Sequence, residues 1–319
     1  MQSPSTSTDT PAGLPAPELL RVLKALSLQR AAGWHLPAYY LGIAYESVSR
    51  EEARMTMDLD GNTDSTGQLL PVSLCILADV ALAAAIRGTA GFETRMATIS
   101  ARICFTGHSG RQALLAKSHT RFLSNEHTLK TGNSAAVVLS GDIEICFAEA
   151  NFAILDNLSD IPALALPGRK QMQQIELLEV NDLSDQEKLV YERAQKAGMH
   201  SASDKNTTFT ERFWQLVPTT NGSQARCEVT CGLHIGNRVG HVQGGILLGL
   251  AIQTSLATLG EGWRILEINA SFIRPGTEGT LTASSYILNE GRNLAQTICE
   301  IKTSSGRLVL QAQSTMIKK

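Results

Sequence analysis

The sequence predicts an α+β protein in which one unit occurs twice, each copy an antiparallel sheet wrapped around a helix that is apolar on every side. Three observations carry this expectation. Two long segments, near Val72 to Ile86 and Gly244 to Leu259, are too uniformly hydrophobic for surface helices and must be enclosed by their surroundings. Each half reads as a helix, two strands, one such buried helix, then four strands. Between the halves, residues 156–183 contain Pro162 and Pro167 and little periodicity, which places the boundary there.

The elements follow in order. Pro17 to Ala32 has helical spacing, and β-type runs follow near Leu41 to Val48 and Glu52 to Asp58. After the first apolar helix come strand-like runs near Ala97 to Phe105, Gln112 to Ser124, Asn133 to Ser140 and Ile143 to Leu155. In the second half, Ser184 and Glu187 form a capping-box pattern ahead of a helix expected to stop at Gly198. Strands are expected near Phe213 to Val217 and Ala225 to Cys231. Beyond the second apolar helix, four more are expected: Arg264 to Phe272, Leu281 to Leu288, Ala295 to Thr303 and Leu308 to Ile317. Two such sheets can pair edge to edge and so remove an exposed edge. The expected division is a loose Ser/Thr/Pro-rich tail over residues 1–15, a first domain over 16–160, a helix-bearing linker over 161–206 and a second domain over 207–319.

Composition narrows the partners. The 319 residues suffice for two ordinary cores, and the net charge of −2, with both signs interspersed, offers no basic face for a nucleic acid or an anionic membrane. The six cysteines are dispersed, mostly within apolar runs, which suits reduced thiols and a cytoplasmic setting. Cys227 and Cys231 share a strand face, but no second Cys/His pair has finger-like spacing, so no metal is expected. No secretory pattern opens the chain and no membrane insertion is expected. No Walker-type or dinucleotide fingerprint occurs, so no cofactor is implied.

The chemistry is concentrated at the start of the second apolar helix. There the chain reads Asn237-Arg-Val-Gly240-His-Val-Gln243-Gly244-Gly245. A glycine pair opening a helix leaves backbone N–H groups at the positive end of the helix dipole, suited to a carbonyl or developing oxyanion. In the first apolar helix Asp79 stands alone among aliphatic residues, where an ionised carboxylate is costly unless it faces a wet cleft or a partner.

These residues resemble the PaaI-like and TesB-like acyl-CoA thioesterases, whose motif Asn-x-x-Gly-x-x-His-Gly-Gly leads into an apolar helix with an Asp nine residues after the His. Asn237, Gly240, Gly244 and Gly245 stand in register, with Gln243 at the His position and Ile252 at the Asp position. The first half departs in the opposite sense: Asp79 is present, but Asp64, Leu70, Pro71 and Val72 occupy the front positions, and only Gly67 of the motif survives. The resemblance implies two tandem hotdog domains packed as a pseudo-dimer. It also implies an active site shared between two hotdogs, one giving the Asn and the glycine N–H, the other the Asp.

The two degenerate halves are complementary. Asn237, Gln243 and Gly244 can face Asp79 across the pseudo-two-fold. The opposite site, built from Asp64, Leu70, Pro71 and Ile252, is expected to be dead, because Pro71 has no N–H to donate and Ile252 cannot act as a base. One working site per chain follows, with an acyl-CoA thioester as substrate and Gly240 and Gly245 at the substrate. Asp79 acts either as general base or as nucleophile, and the sequence leaves both routes open. Thr98, on the strand after the first apolar helix, matches the position that helps hold water in the family, or is an ordinary strand threonine. Gln243 is expected to orient substrate or a neighbour, since its amide is neither acid nor base, and His241 sits two residues early. Arg238, Arg264 and Arg274 are candidates for coenzyme A phosphates. The resemblance also makes a homo-oligomer, a dimer of double hotdogs, an expectation. A non-catalytic acyl-CoA or acyl-carrier binding protein is the alternative, kept open by Gln243. A hydratase would want an Asp/His pair in one segment, and neither helix has one.

Overall fold

The computed structural model describes residues 16–32, 34–124, 129–155, 167–201, 207–277 and 279–319, so the expected tail over residues 1–15 lies outside the described residues. The first half runs α1 (Pro17–Ala32), α2 (Leu36–Tyr40), β1 (Ala44–Val48), β2 (Ala53–Met57), α3 (Pro71–Ala90), β3 (Arg95–Phe105), β4 (Leu114–Ser124), β5 (Lys130–Ser140) and β6 (Ile143–Leu155). Two short connecting pieces, α4 (Arg169–Gln173) and a 3-10 turn at Val180–Asp182, lead to α5 (Asp185–Ser201) and α6 (Phe209–Phe213). The second half continues with β7 (Thr219–Asn221), β8 (Gln224–Thr230), a 3-10 turn at Leu233–Ile235, α7 (Gly244–Leu259), β9 (Trp263–Phe272), β10 (Thr280–Glu290), β11 (Leu294–Thr303) and β12 (Leu308–Lys318).

The twelve strands of the described residues form one antiparallel sheet in the order β1-β2-β4-β5-β6-β3-β9-β12-β11-β10-β8-β7. Read from either end, the order is the same once each strand is exchanged for its counterpart. The molecule is therefore two hotdogs related by a pseudo-two-fold between β3 and β9, which pair from Ser100↔Ser271 to Cys104↔Glu267. Joining the sheets at this seam turns two edges into interior strands, as the exposed-edge argument anticipates.

The two core helices meet back to back across the axis. A Cβ added to Gly245 would lie 2.5 Å from Ile76 Cα, and one on Gly249 would lie 2.4 Å from Val72 Cγ2. Small residues at these two positions let α7 reach the backbone of α3. Rising numbers on one helix meet falling numbers on the other, so the helices run antiparallel and Gly244 falls beside Asp79. By composition α3 is long and apolar enough to cross a membrane, but most of it is buried inside this fold, as a core helix must be.

Two boundaries differ from expectation. No strand forms over 213–217: Thr208 and Glu211 make a capping box that starts α6, and Phe213 and Trp214 then pack beside Tyr40. The short edge strand lies later, at Thr219–Asn221. The helix opened by Ser184 and Glu187 has the expected carboxylate contact at its start, with Ser184 N–H donating to Glu187 at 2.8 Å, but it runs through Gly198 to Ser201. Gly198 adopts ordinary helical geometry, and tertiary packing of α5 outweighs the modest penalty of an internal glycine.

Candidate active site

The turn before each core helix is built the same way. Asn237 Oδ1 accepts from the N–H groups of Val239 and His241, both at 3.0 Å, and Gly240 turns the chain at φ +79°. At the matching places Asp64 Oδ1 accepts from Thr66 N–H at 2.8 Å and Gln68 N–H at 3.0 Å, and Gly67 has φ +80°. The next backbone bond is repeated as well: Gln243 N–H donates to Ile235 O and Leu70 N–H to Asn62 O, each at 2.9 Å. A side-chain oxygen that folds its own loop in this manner is an Asx-type turn. The oxygens of Asn237 and Asp64 are therefore occupied in shaping the loops, and Gly67 and Gly240 supply the left-handed residue each loop requires.

After these equal turns the two helix starts diverge. Gln243 is the N-cap of α7, its Oε1 accepting from Ile246 N–H at 3.0 Å. Its Nε2 then points outward and donates to Asp79 Oδ2 at 2.5 Å. One amide thus ties the helix start of the second hotdog to the core helix of the first, and its orientation is fixed because the Ile246 N–H can only donate and so takes the amide oxygen. In the other copy Leu70 is an N-cap with no side-chain bond, Pro71 stands where Gly244 would be, and Ile252, fully buried, stands where Asp79 would be.

Two main-chain groups at the α7 start approach the carboxylate, Gly245 through its N–H and, beside it, Gly244. A methyl added to Gly244 would sit 2.9 Å from Asp79 Oδ1, and among the described residues its N–H, at the first position of α7, has no hydrogen-bond partner. Burial drives the Asp79 carboxyl up to about 7, while the positive charge of Arg87 and the N–H of Gly245 pull the other way. A carboxyl poised near neutrality beside a free helix-terminal N–H is suited to move a proton or attack a carbonyl, with an amide ready for the oxyanion.

The structure places the remaining sequence candidates at varying remove. Gly245 lies against α3, so close packing is a role it fills. Thr98 is half-buried on β3, paired with Phe152 just before a bulge, and makes no hydrogen bond to Asp79. His241 is half-buried, with the charge of Arg95 and desolvation both holding its pKa down. Arg264 packs over Gly107 and Arg274 donates to Leu308 O at 3.4 Å, whereas Arg238 lies near Tyr39 and Tyr45, on the side of the site where α3 continues. A cleft of about 1070 Å³ that sequence reasoning missed opens on the outer side of the Asn237–Gly240 turn; Arg193, Lys196 and Arg212 are among the residues that line it. Its walls come from α5, β8 and the turn, segments whose meeting no local pattern announces.

Comparison with known proteins agrees with this architecture. The family model for the Thioesterase superfamily matches residues 234–310, from just before the Asn237 turn to β12. Among solved structures, the tesB protein of Mycobacterium avium subs paratuberculosis is similar over 86% of this chain and 96% of that one, with 13% identity and a TM-score of 0.54. The oleoyl thioesterase (putative) of Lactobacillus plantarum is similar over 87% of this chain and 98% of that one, with 12% identity and a TM-score of 0.53. A conserved protein of unknown function with a hot dog fold from Alicyclobacillus acidocaldarius covers 86% of this chain, with 96% of its own length matched, 8% identity and a TM-score of 0.52. The fold class is thus the tandem hotdog, shared with TesB-like thioesterases, and the second repeat carries the Thioesterase superfamily signature. No curated protein matches the chain.

Proposed function

We propose that this chain is an acyl-CoA thioesterase with one composite active site, formed by Asp79 of the first hotdog and by Gln243 and Gly244 of the second. The observation that carries the reading is the hydrogen bond from Gln243 to Asp79 beside the Gly244 N–H, which has no partner among the described residues. In this site the thioester carbonyl accepts from Gly244 N–H, which stabilises the oxygen as charge develops. Asp79 then takes a proton from the attacking water, or attacks the carbonyl itself, and the thiolate of coenzyme A leaves. Asn237 and Gly240 hold the turn that aims Gly244, Gly245 lets α7 approach, and Thr98 is assigned to the water side. The cleft beyond the turn, with Arg193, Lys196 and Arg212 in its wall, gives cations to the nucleotide end of the carrier. A cytoplasmic homo-oligomer of double hotdogs completes the reading.

The test is thiol release from a panel of acyl-CoAs. Asp79→Asn is expected to lower kcat about 10²–10⁴-fold, whereas Asp64→Asn, in the copy with Pro71 and Ile252, leaves it within a factor of about two. Equal losses from both would refute a single composite site, and tight acyl-CoA binding without turnover would assign the protein as a binder instead. Labelled water in a single turnover reports on the route: label found in the enzyme carboxylate requires a mixed anhydride opened by water at the Asp79 carboxyl carbon, whereas general-base attack puts the label only in the product acid.

A further inference from the structure

Over most of its length α3 is sealed: every residue from Val72 to Ile86 is buried except Asp79 and Ala83. The next residue four further on, Arg87, is also partly open. Positions four apart lie on one helix face, so Asp79, Ala83 and Arg87 form a single accessible stripe, with a small residue between two charged ones. Eight residues rise about 12 Å. Helix side chains lean toward the N-terminus, so the Arg87 guanidinium reaches back along the stripe toward Asp79.

The surroundings of Arg87 do not neutralise it. Its Nε is buried and donates to no group among the described residues. The chain at the end of β1 crosses the end of α3 closely enough that a Cβ on Gly88 would meet Ser49 O, and the Tyr45 ring of β1 packs tilted against Trp34 with centroids 5.2 Å apart. Trp34, His35, Tyr39 and Tyr45 are all buried here. Arg238, from the same turn that presents Gly244, adds a second positive charge close enough to disfavour the first. Burial keeps His35 neutral, with its pKa near 3, so it adds no charge, and holds Tyr45 up to about 12, so its phenol supplies no anion at neutral pH. Among the described residues the one carboxylate whose charge registers on Arg87 is Asp79 itself. A guanidinium whose Nε is buried in an aromatic seam calls for a further anion.

We infer that Arg87 receives a carboxylate at the far end of the acyl chain, so that the substrate is the thioester of a short dicarboxylic acid rather than a plain fatty acyl group. The inference rests on the thioesterase reading above. The stripe makes the assignment specific: with the thioester at Asp79 and Gly244, an acyl chain laid over Ala83 brings its end to Arg87. The phosphates of coenzyme A are separated from the thioester by the whole pantetheine arm, on the leaving-group side. Arg87 is a specificity residue in this account and takes no part in the chemical step.

The experiment compares glutaryl-CoA with valeryl-CoA, of equal chain length, on the full chain and on Arg87→Met and Arg87→Lys. The wild type is expected to favour glutaryl-CoA in kcat/KM. Arg87→Met is expected to lower that value about 10- to 100-fold, as loss of a charged hydrogen bond does, while valeryl-CoA stays within about threefold and Arg87→Lys recovers part of the loss. A wild-type preference for valeryl-CoA overturns the inference. So does an equal fall for both substrates in a variant with unchanged circular dichroism, which would mean that Arg87 acts through the charge of Asp79. If no thioester is hydrolysed, the thioesterase reading fails on its own. Calorimetric binding of the same two ligands then decides the anion site: tighter glutaryl-CoA binding that Arg87→Met removes supports it, and equal binding overturns it.

Discussion

At the scale of single residues the site depends on a carboxyl held near neutrality by burial, with pKa about 7. If the ionised form does the work, kcat/KM rises with pH through about 7 and levels off above it, and a pH profile checks this. Because the folded-state pKa lies above the ordinary 3.8, the folded protein binds that proton more tightly than the unfolded chain. The linked cost to stability is absent below about pH 4, grows as the pH rises, and is complete above about 7. Asp79→Asn is accordingly expected to raise Tm at pH 8, by the equivalent of on the order of 1–3 kcal/mol, with the gain fading by pH 4. A gain that is constant with pH would show that Asp79 is ordinary in its titration. Gln243→Glu puts a second carboxylate against the first, so the activity midpoint should move up by a unit or more and activity at pH 7 should fall.

At the scale of elements, adjacent glycines have separable duties. Gly245→Ala places a methyl 2.5 Å from the Ile76 backbone, which cannot yield cheaply, and should destabilise by about 1–3 kcal/mol in chemical denaturation. Gly244→Ala has the Asp79 carboxylate as its nearest neighbour, the end of a side chain rather than a backbone, and should cost activity far more than stability. Most elements were legible because apolar periodicity reports burial directly: both core helices and the four strands after each lie within a few residues of their expected places. The exceptions arise where a capping signal, Thr208 with Glu211, opposes an apolar run, and where packing carries α5 past Gly198. That Asp79 and Gly244 meet was readable because each half retains half of a motif. That Gln243 both caps α7 and holds Asp79 was not, since an N-cap bond and a cross-domain bond leave no trace in spacing. The cluster of Arg87, Tyr45 and Arg238 was equally hidden: its members come from three distant stretches, and an arginine in the last turn of a helix ordinarily reads as a partner for the dipole.

For the whole molecule, the mirror order of the twelve strands makes two equivalent places where a helix start of one hotdog faces the core helix of the other. Sequence has filled one with Gln243, Gly244 and Asp79 and the other with Leu70, Pro71 and Ile252. The symmetric turns around Asn237 and Asp64 preserve the frame in both, so the asymmetry lies in donors and charge rather than in shape. Restoring the second place therefore needs a donor and a carboxylate together. Ile252→Asp alone is expected to add no activity and to cost stability, because a buried carboxylate there meets Leu70 in place of the Gln243 amide, and Pro71 offers no N–H for the oxyanion.

The stoichiometry of a non-hydrolysable acyl-CoA thioether, titrated calorimetrically into the intact chain, tests the composite site most directly. The account predicts one molecule bound per chain, with binding lost when a bulky residue replaces Gly244 and kept when one replaces Pro71. Two molecules per chain, or one whose binding survives change at Gly244 and fails at Pro71, would contradict it.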